Sequence, residues 1–261
     1  MTSSRFSSPA SDRRPTVDRP WPFSKDGQRY AGQLLLLLGT AAIFIASAVS
    51  GTLPQPMFGD VAGGGAASAV GFAIGGAAFA AAWLRAAPAY LVWPIFMAWL
   101  AAAGMTAWSL IAKGPSIEYA VSIAEAVVLS AASLALLRDR IGEHVLLRAL
   151  GIMLVMFGAI HLLMRPQIAS LIPEFIPFAA IWPWITGAIL IGSGLATLFR
   201  SIRGQALLVV AAMFLAWIPL VHAPRLIASL SAGEIAFAAM AIALSGSLII
   251  CRAVVGEHRP G

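Results

Sequence analysis

Three ionisable side chains stand inside apolar runs of this sequence, where a charge is expensive: Glu125, His161 and His222. Histidine can donate or accept a hydrogen bond and can pass a proton near neutral pH. Arg165 lies one turn beyond His161, Arg225 follows closely after His222, and Glu174 falls between the two pairs. Measured by helix rise from Arg148 and from Gly204, His161 stands about 20 Å and His222 about 27 Å up their helices. Both are therefore expected near the same, outer face. His161, Arg165, Glu174, Trp184, His222 and Arg225 form a candidate ligand-binding cup, with Trp182 and Trp184 as an aromatic wall. The chemistry would be binding of a quinone headgroup or a similar apolar small molecule through hydrogen bonds. The plainer alternative is that interfacial His, Arg and Trp side chains anchor helix ends among lipid headgroups.

Glu125 poses a separate question. It lies about 10 Å deeper than Glu118 by helix rise, in an otherwise apolar run, with Ser122 and Glu118 on its face. A carboxylate at that depth is costly when ionised and marks either function or pairing. It reads as a proton or cation relay, or else as a protonated acid bridging two helices. No basic residue shares its depth, so the protonated form is expected. Glu118 and Glu234 have a structural reading. SAGE at 231–234 is a capping-box pattern with Ser231 as N-cap, and Ser116 opens the equivalent helix before Glu118. Two histidines on separate helices are the minimum for a bis-histidine haem, and no other feature supports one. The sequence has no phosphate-cradling glycine loop, no metal-spaced Cys/His cluster and no paired catalytic carboxylates. No catalytic residue is assigned, and nothing demands an enzyme.

The elements that must position these groups are read from composition. The chain is 60% hydrophobic and 11% charged, far below the ordinary charged fraction of about a quarter. Several apolar runs exceed the ~20 residues that cross a bilayer as a helix. Backbone groups in lipid must bond internally, so the runs are helices, and they lack the alternation of a membrane barrel. Eight spans are expected, near 31–51, 65–85, 88–112, 117–137, 145–164, 180–200, 204–222 and 233–252. Residues 1–30, rich in Ser, Pro and Arg, read as a disordered basic tail, with Trp21 and Phe23 able to dip into the interface. Residues 253–261 form a second short tail. The prolines between 166 and 183 interrupt helix, so the apolar stretch IPEFIPF is expected as a lid or interfacial cap over the bundle mouth.

The net charge of +6 is topology rather than a nucleic-acid footprint. With the first tail inside, the inner segments hold Arg5, Arg13, Arg14, Arg19, Lys25, Arg29, Arg85, Arg138, Arg140, Arg148, Arg200, Arg203, Arg252 and Arg259. The outer segments hold only Lys113, Arg165 and Arg225. That bias predicts a multi-pass protein of the plasma (inner) membrane with both termini cytoplasmic. The lipid bilayer is its expected partner. Cys251 stands alone, which excludes an internal disulfide and leaves it as a small packing residue.

The chain also repeats itself. An offset of 116 lays Gly71 on Gly187, Gly76 on Gly192, Met97 on Met213 and Glu118 on Glu234, and an offset of 119 lays Gly39 on Gly158 and Pro54 on Pro173. The fold class expected is all-α: a polytopic membrane protein of eight transmembrane helices arranged as two fused parallel four-helix repeats, 31–140 and 141–252. The small residues of the second helix in each half, Gly71, Gly75, Gly76 and Ala78, and Gly187, Gly192, Ser193 and Gly194, are expected to face the bundle interior. The histidines and Glu125 have no counterparts in the other half, so the first half reads as scaffold.

GAIH at 158–161, LIPEFIPF at 171–178 and WPWITGAILIGSGLATLF at 182–199 together resemble DoxX-like integral membrane proteins, over about residues 145–252. The signals that carry over are Gly158, His161, Pro173, Pro177 and Gly187. The resemblance implies a four-helix membrane unit. It also implies association with quinone-linked or other membrane oxidoreductase chemistry, with an oxidoreductase as partner. The runner-up reading is a transporter, lipid-binding protein or membrane scaffold without enzymatic activity, using the cleft between repeats with Glu125 as its ionisable group.

Overall fold

The computed structural model describes residues 24–50, 64–84, 87–114, 116–137 and 140–255, and among these no strand occurs. A first group holds α1 (Lys25–Val49), α2 (Gly64–Ala82), α3 (Ala89–Lys113) and α4 (Ile117–Leu136). A second holds α5 (Arg140–Leu163), the short α6 (Arg165–Ser170), α7 (Trp182–Ala196) and α8 (Arg203–Trp217). It continues through a π-helical turn (Ile218–His222) into α9 (Ala223–Ala228) and ends with α10 (Ala232–Val255). Among the described residues six stretches are long and apolar enough to cross a membrane: Lys25–Val49, Ala89–Lys113, Ile117–Leu136, His144–Leu163, Arg203–Ala228 and Ala232–Val254. The expected spans 65–85 and 180–200 are shorter apolar helices, Ala66–Ala82 and Trp182–Ala196. The latter rises only about 22 Å, below the ~30 Å of a hydrocarbon core.

Two boundaries differ from expectation for local reasons. Ser24 Oγ accepts the Gly27 N–H at 3.1 Å and caps α1, so the helix starts at Lys25 and residues 25–30 are not tail. Residues 1–23, with Trp21 and Phe23, lie outside the described residues, as do Pro54 and 256–261. The expected span ending at 222 runs on through α9, because the π-helical turn absorbs Pro219 instead of breaking the helix.

Neighbouring helices form a closed circuit. α1 packs on α2, α2 on α3, α3 on α4, α4 on α5, α5 on α7, α7 on α8, α8 on α10, and α10 back on α1. Small residues set the tightest contacts, since backbone proximity replaces apolar burial as the adhesive in lipid. A Cβ on Gly39 would stand 2.6 Å from the Ala239 carbonyl of α10, and one on Gly158 would stand 2.6 Å from the Gly187 carbonyl of α7. Gly39 and Gly158, paired by the 119 offset, therefore serve different interfaces. Gly71 and Gly187, paired by the 116 offset, serve equivalent ones, facing α1 and α5. Gly76 and Gly192 face outward with nothing within 4 Å, contrary to the expectation for the whole small-residue set.

The first group is filled at its centre. Trp99 and Phe44 are fully buried and meet edge to face at 5.2 Å. Two buried hydroxyls are satisfied within their own helices, Thr106 Oγ1 donating to the Ala102 carbonyl and Ser130 Oγ to the Ala126 carbonyl, both at 2.8 Å, whereas Thr40 Oγ1 is buried without a partner. Helix ends at the basic face borrow donors from α1, where Arg29 donates to the Ala135 carbonyl at 2.5 Å and Gln33 to the Leu84 carbonyl at 2.5 Å. Arg252 of α10 donates to Gln28 of α1 at 2.5 Å. Cys251 is buried, a small packing residue as expected.

Candidate functional site

A cavity of about 220 Å³ opens between α4, α5, α7, α8, the π-helical turn and α10, and His161, His222 and Glu125 all line it. Phe157 of α5, Trp182 of α7, Phe214 and Trp217 of α8, and Phe237 of α10 supply aromatic walls, with Met240, Ala241 and Leu244 continuing the α10 side. Ile168, Leu171 and Ile172, from α6 and the turn after it, cover the remaining side.

Each polar group is placed by a local device. His161 Nδ1 lies 2.7 Å from the Phe157 carbonyl. A carbonyl only accepts, so Nδ1 carries the proton, and in the neutral ring Nε2 is left as an acceptor. His222 ends the π-helical turn, where the Ala223 N–H reaches back to the Ile218 carbonyl. Such wide turns inside helices recur at functional sites because the extra residue re-aims a side chain. Here it sets His222 against the cavity, with Nδ1 buried and without a hydrogen-bond partner. Glu125 comes from α4 and is half-buried, and among the described residues no donor or cation pairs with its carboxyl. The buried hydroxyls nearby, by contrast, are bonded: Thr186 Oγ1 donates to the Trp182 carbonyl at 2.8 Å.

Trp182 ties the wall to the covering loop. Its Nε1–H donates to the Pro177 carbonyl at 3.0 Å, and its ring meets Trp217 edge to face at 5.6 Å. The loop from Leu171 to Ile181 exposes Phe175, Phe178 and Ile181, as an interfacial cap does. Phe178 takes a left-handed φ of 58°, which lets the chain turn directly after Pro177.

The expected cup is thus divided. His161 and His222 are brought together, and Trp182 lines the cavity as expected. Glu125 joins them from the half read as scaffold. Arg165 and Trp184 do not line the cavity: the guanidinium lies over the outward-facing Trp184 ring, 4.2 Å from its centroid. Arg225 does not line it either, since it donates to Glu234 Oε1 at 2.5 Å and ties α9 to α10. Glu174 is exposed in the covering loop. The Ser231 N-cap is present, accepting the Glu234 N–H at 3.2 Å, but the Glu234 carboxylate serves Arg225 instead of closing the capping box. Ser116 caps α4 through the Glu118 N–H at 3.2 Å. Phe157, Phe214, Trp217, Phe237 and Met240 went unnoticed in the sequence. They fall on i, i+3, i+4 stripes, which in so apolar a chain look like any other packing face.

Fold and cavity define a class: an all-helical chain with membrane-length apolar helices and an aromatic cavity holding three ionisable side chains. No family model, curated protein or solved structure matches the chain. Among the described residues no group of His, Cys, Asp and Glu could hold a metal ion.

Proposed function

We propose that the chain is a multi-pass membrane protein whose second unit binds a small, largely apolar, ring-bearing molecule by its polar end. The convergence of Glu125, His161 and His222 on one aromatic cavity carries this reading. A void of about 150 Å³ accommodates benzene, so a cavity of about 220 Å³ has room for one ring with a short substituent. Two four-helix units, 31–140 and 141–252, with eight crossings, fit the packing. α1–α2–α3–α4 repeats as α5–α7–α8–α10, and α1 meets α10 as α5 meets α4. The charge bias puts the basic face in the cytoplasm of an inner membrane. The resemblance to DoxX-like proteins makes a quinone one candidate occupant and a membrane oxidoreductase one candidate partner.

Native mass spectrometry of protein extracted in mild detergent tests the reading. A ring-bearing small molecule should be retained by the wild type and lost from Ala241→Phe, which fills the cavity from α10. Retention of phospholipid alone, unchanged by that substitution, would sink it. The entry of Glu125 from the first unit favours a second reading, transport of the occupant between the units. Glu125→Gln should then stop flux in proteoliposomes, and unchanged flux would remove it.

A further inference from the structure

The polar end that this cavity accepts can be narrowed, given the reading above that the cavity is a binding site. His161 Nε2 is an acceptor, because Nδ1 is spent on the Phe157 carbonyl. An isolated carboxylate in apolar surroundings is stable only with a proton or with a cation beside it. Among the described residues no cation lines the cavity beside Glu125. Arg225 is held by Glu234, and Arg165 stacks on Trp184 outside the cavity. Aromatic faces attract cations through their quadrupole, and four of the rings that line the void are Phe157, Trp182, Phe214 and Trp217. A neutral carbonyl ligand would gain nothing from His161 Nε2 and could use Glu125 only in its protonated form, leaving the aromatic faces without a cation to attract.

We infer that the occupant is a lipophilic organic cation, a protonated arylalkylamine or a quaternary ammonium, whose charged end pairs with Glu125 inside the aromatic walls. When the cavity is empty Glu125 carries a proton, so entry of the cation releases that proton: the O–H bond is broken, the proton leaves to water, and the carboxylate keeps the electron pair. The titratable groups facing Glu125 across the cavity are His161 from α5 and His222 from the π-helical turn. α10, α7 and α8 line it without any, and α1 and α3 do not line it.

Equilibrium dialysis against the full chain in nanodiscs, with empty nanodiscs as blank, tests this with an isosteric pair: benzyltrimethylammonium and its uncharged carbon analogue neopentylbenzene. The wild type should bind the cation at least about tenfold more tightly than the neutral analogue, as a desolvated cation against aromatic rings and a carboxylate requires. Glu125→Gln should erase that preference, and Glu125→Asp, which keeps the charge, should retain it. Equal binding of the pair by the wild type, tighter binding of the neutral analogue, or displacement of the cation by a small benzoquinone would overturn the inference while leaving the cavity a binding site. Persistence of the preference in Glu125→Gln would overturn the assignment to Glu125. Absence of binding by any of these probes would overturn it together with the reading on which it rests.

Discussion

Gly158→Ala is the most informative single change in the scaffold around the cavity. A Cβ at this position would stand 2.5 Å from Ile191 Cγ1, 2.6 Å from the Gly187 carbonyl oxygen and 2.8 Å from the Ile191 amide nitrogen. Ordinary contact begins near 3.4 Å, so α5 and α7 must separate by roughly 0.8 Å. Side-chain rotation can relieve only the first of these clashes, because the other two atoms are backbone. Overpacking costs about 1–3 kcal/mol and should fall at the upper end here. The better helix propensity of Ala returns up to about 1 kcal/mol, leaving a net loss of about 2 kcal/mol. Gly192→Ala, on the same pair of helices, is the control, since a Cβ there meets nothing within 4 Å. It should be neutral or slightly stabilising. Unfolding of both variants by SDS titration in mixed micelles measures the difference. Gly158 is flanked by Phe157 and lies one turn before His161, so the variant should also weaken retention of the cavity's occupant. If Gly158→Ala and Gly192→Ala unfold together, the close approach of α5 and α7 at Gly158 is wrong.

Arg225→Ala should destabilise the protein by about 1–3 kcal/mol, between the values for exposed and buried pairs, because Glu234 is only 15% exposed and loses its one partner. Glu234→Gln, which can still accept from Arg225, should cost less in the same unfolding assay, and a negligible cost for Arg225→Ala would show that the ion pair is not what holds α9 to α10. Trp182→Phe keeps the ring and deletes the Nε1–Pro177 bond. A loss of about 1 kcal/mol and faster hydrogen exchange confined to residues 171–181 are expected, whereas unchanged exchange would mean that the bond does not hold the loop. Protonation of Glu125, His161 or His222 each adds positive charge to the cavity, so affinity for benzyltrimethylammonium should rise with pH. Tighter binding in acid would contradict that sign.

The sequence alone dictated the membrane-type helices, because runs of apolar residues longer than a bilayer core leave the backbone no other way to bond. It also carried the proline-broken loop, the Ser116 and Ser231 helix starts and the membership of His161 and His222 in one cavity. These are local matters of composition, spacing and helix rise. It did not show that Gly39 and Gly158 face different neighbours, or that α7 is too short to cross unaided. Rotation of a helix about its axis is set by its neighbours, and a uniformly apolar helix has little polarity contrast to reveal it. The site divided along the same line. Arg165, Trp184 and Arg225 share the histidines' expected depth by helix rise, and only packing turned them outward or into a pair. Glu125 belongs to the half read as scaffold, and it reaches the cavity because α4 packs on α5 and α10. A carboxylate's depth can be counted along its own helix, but the partner it faces is decided by which helices close around it.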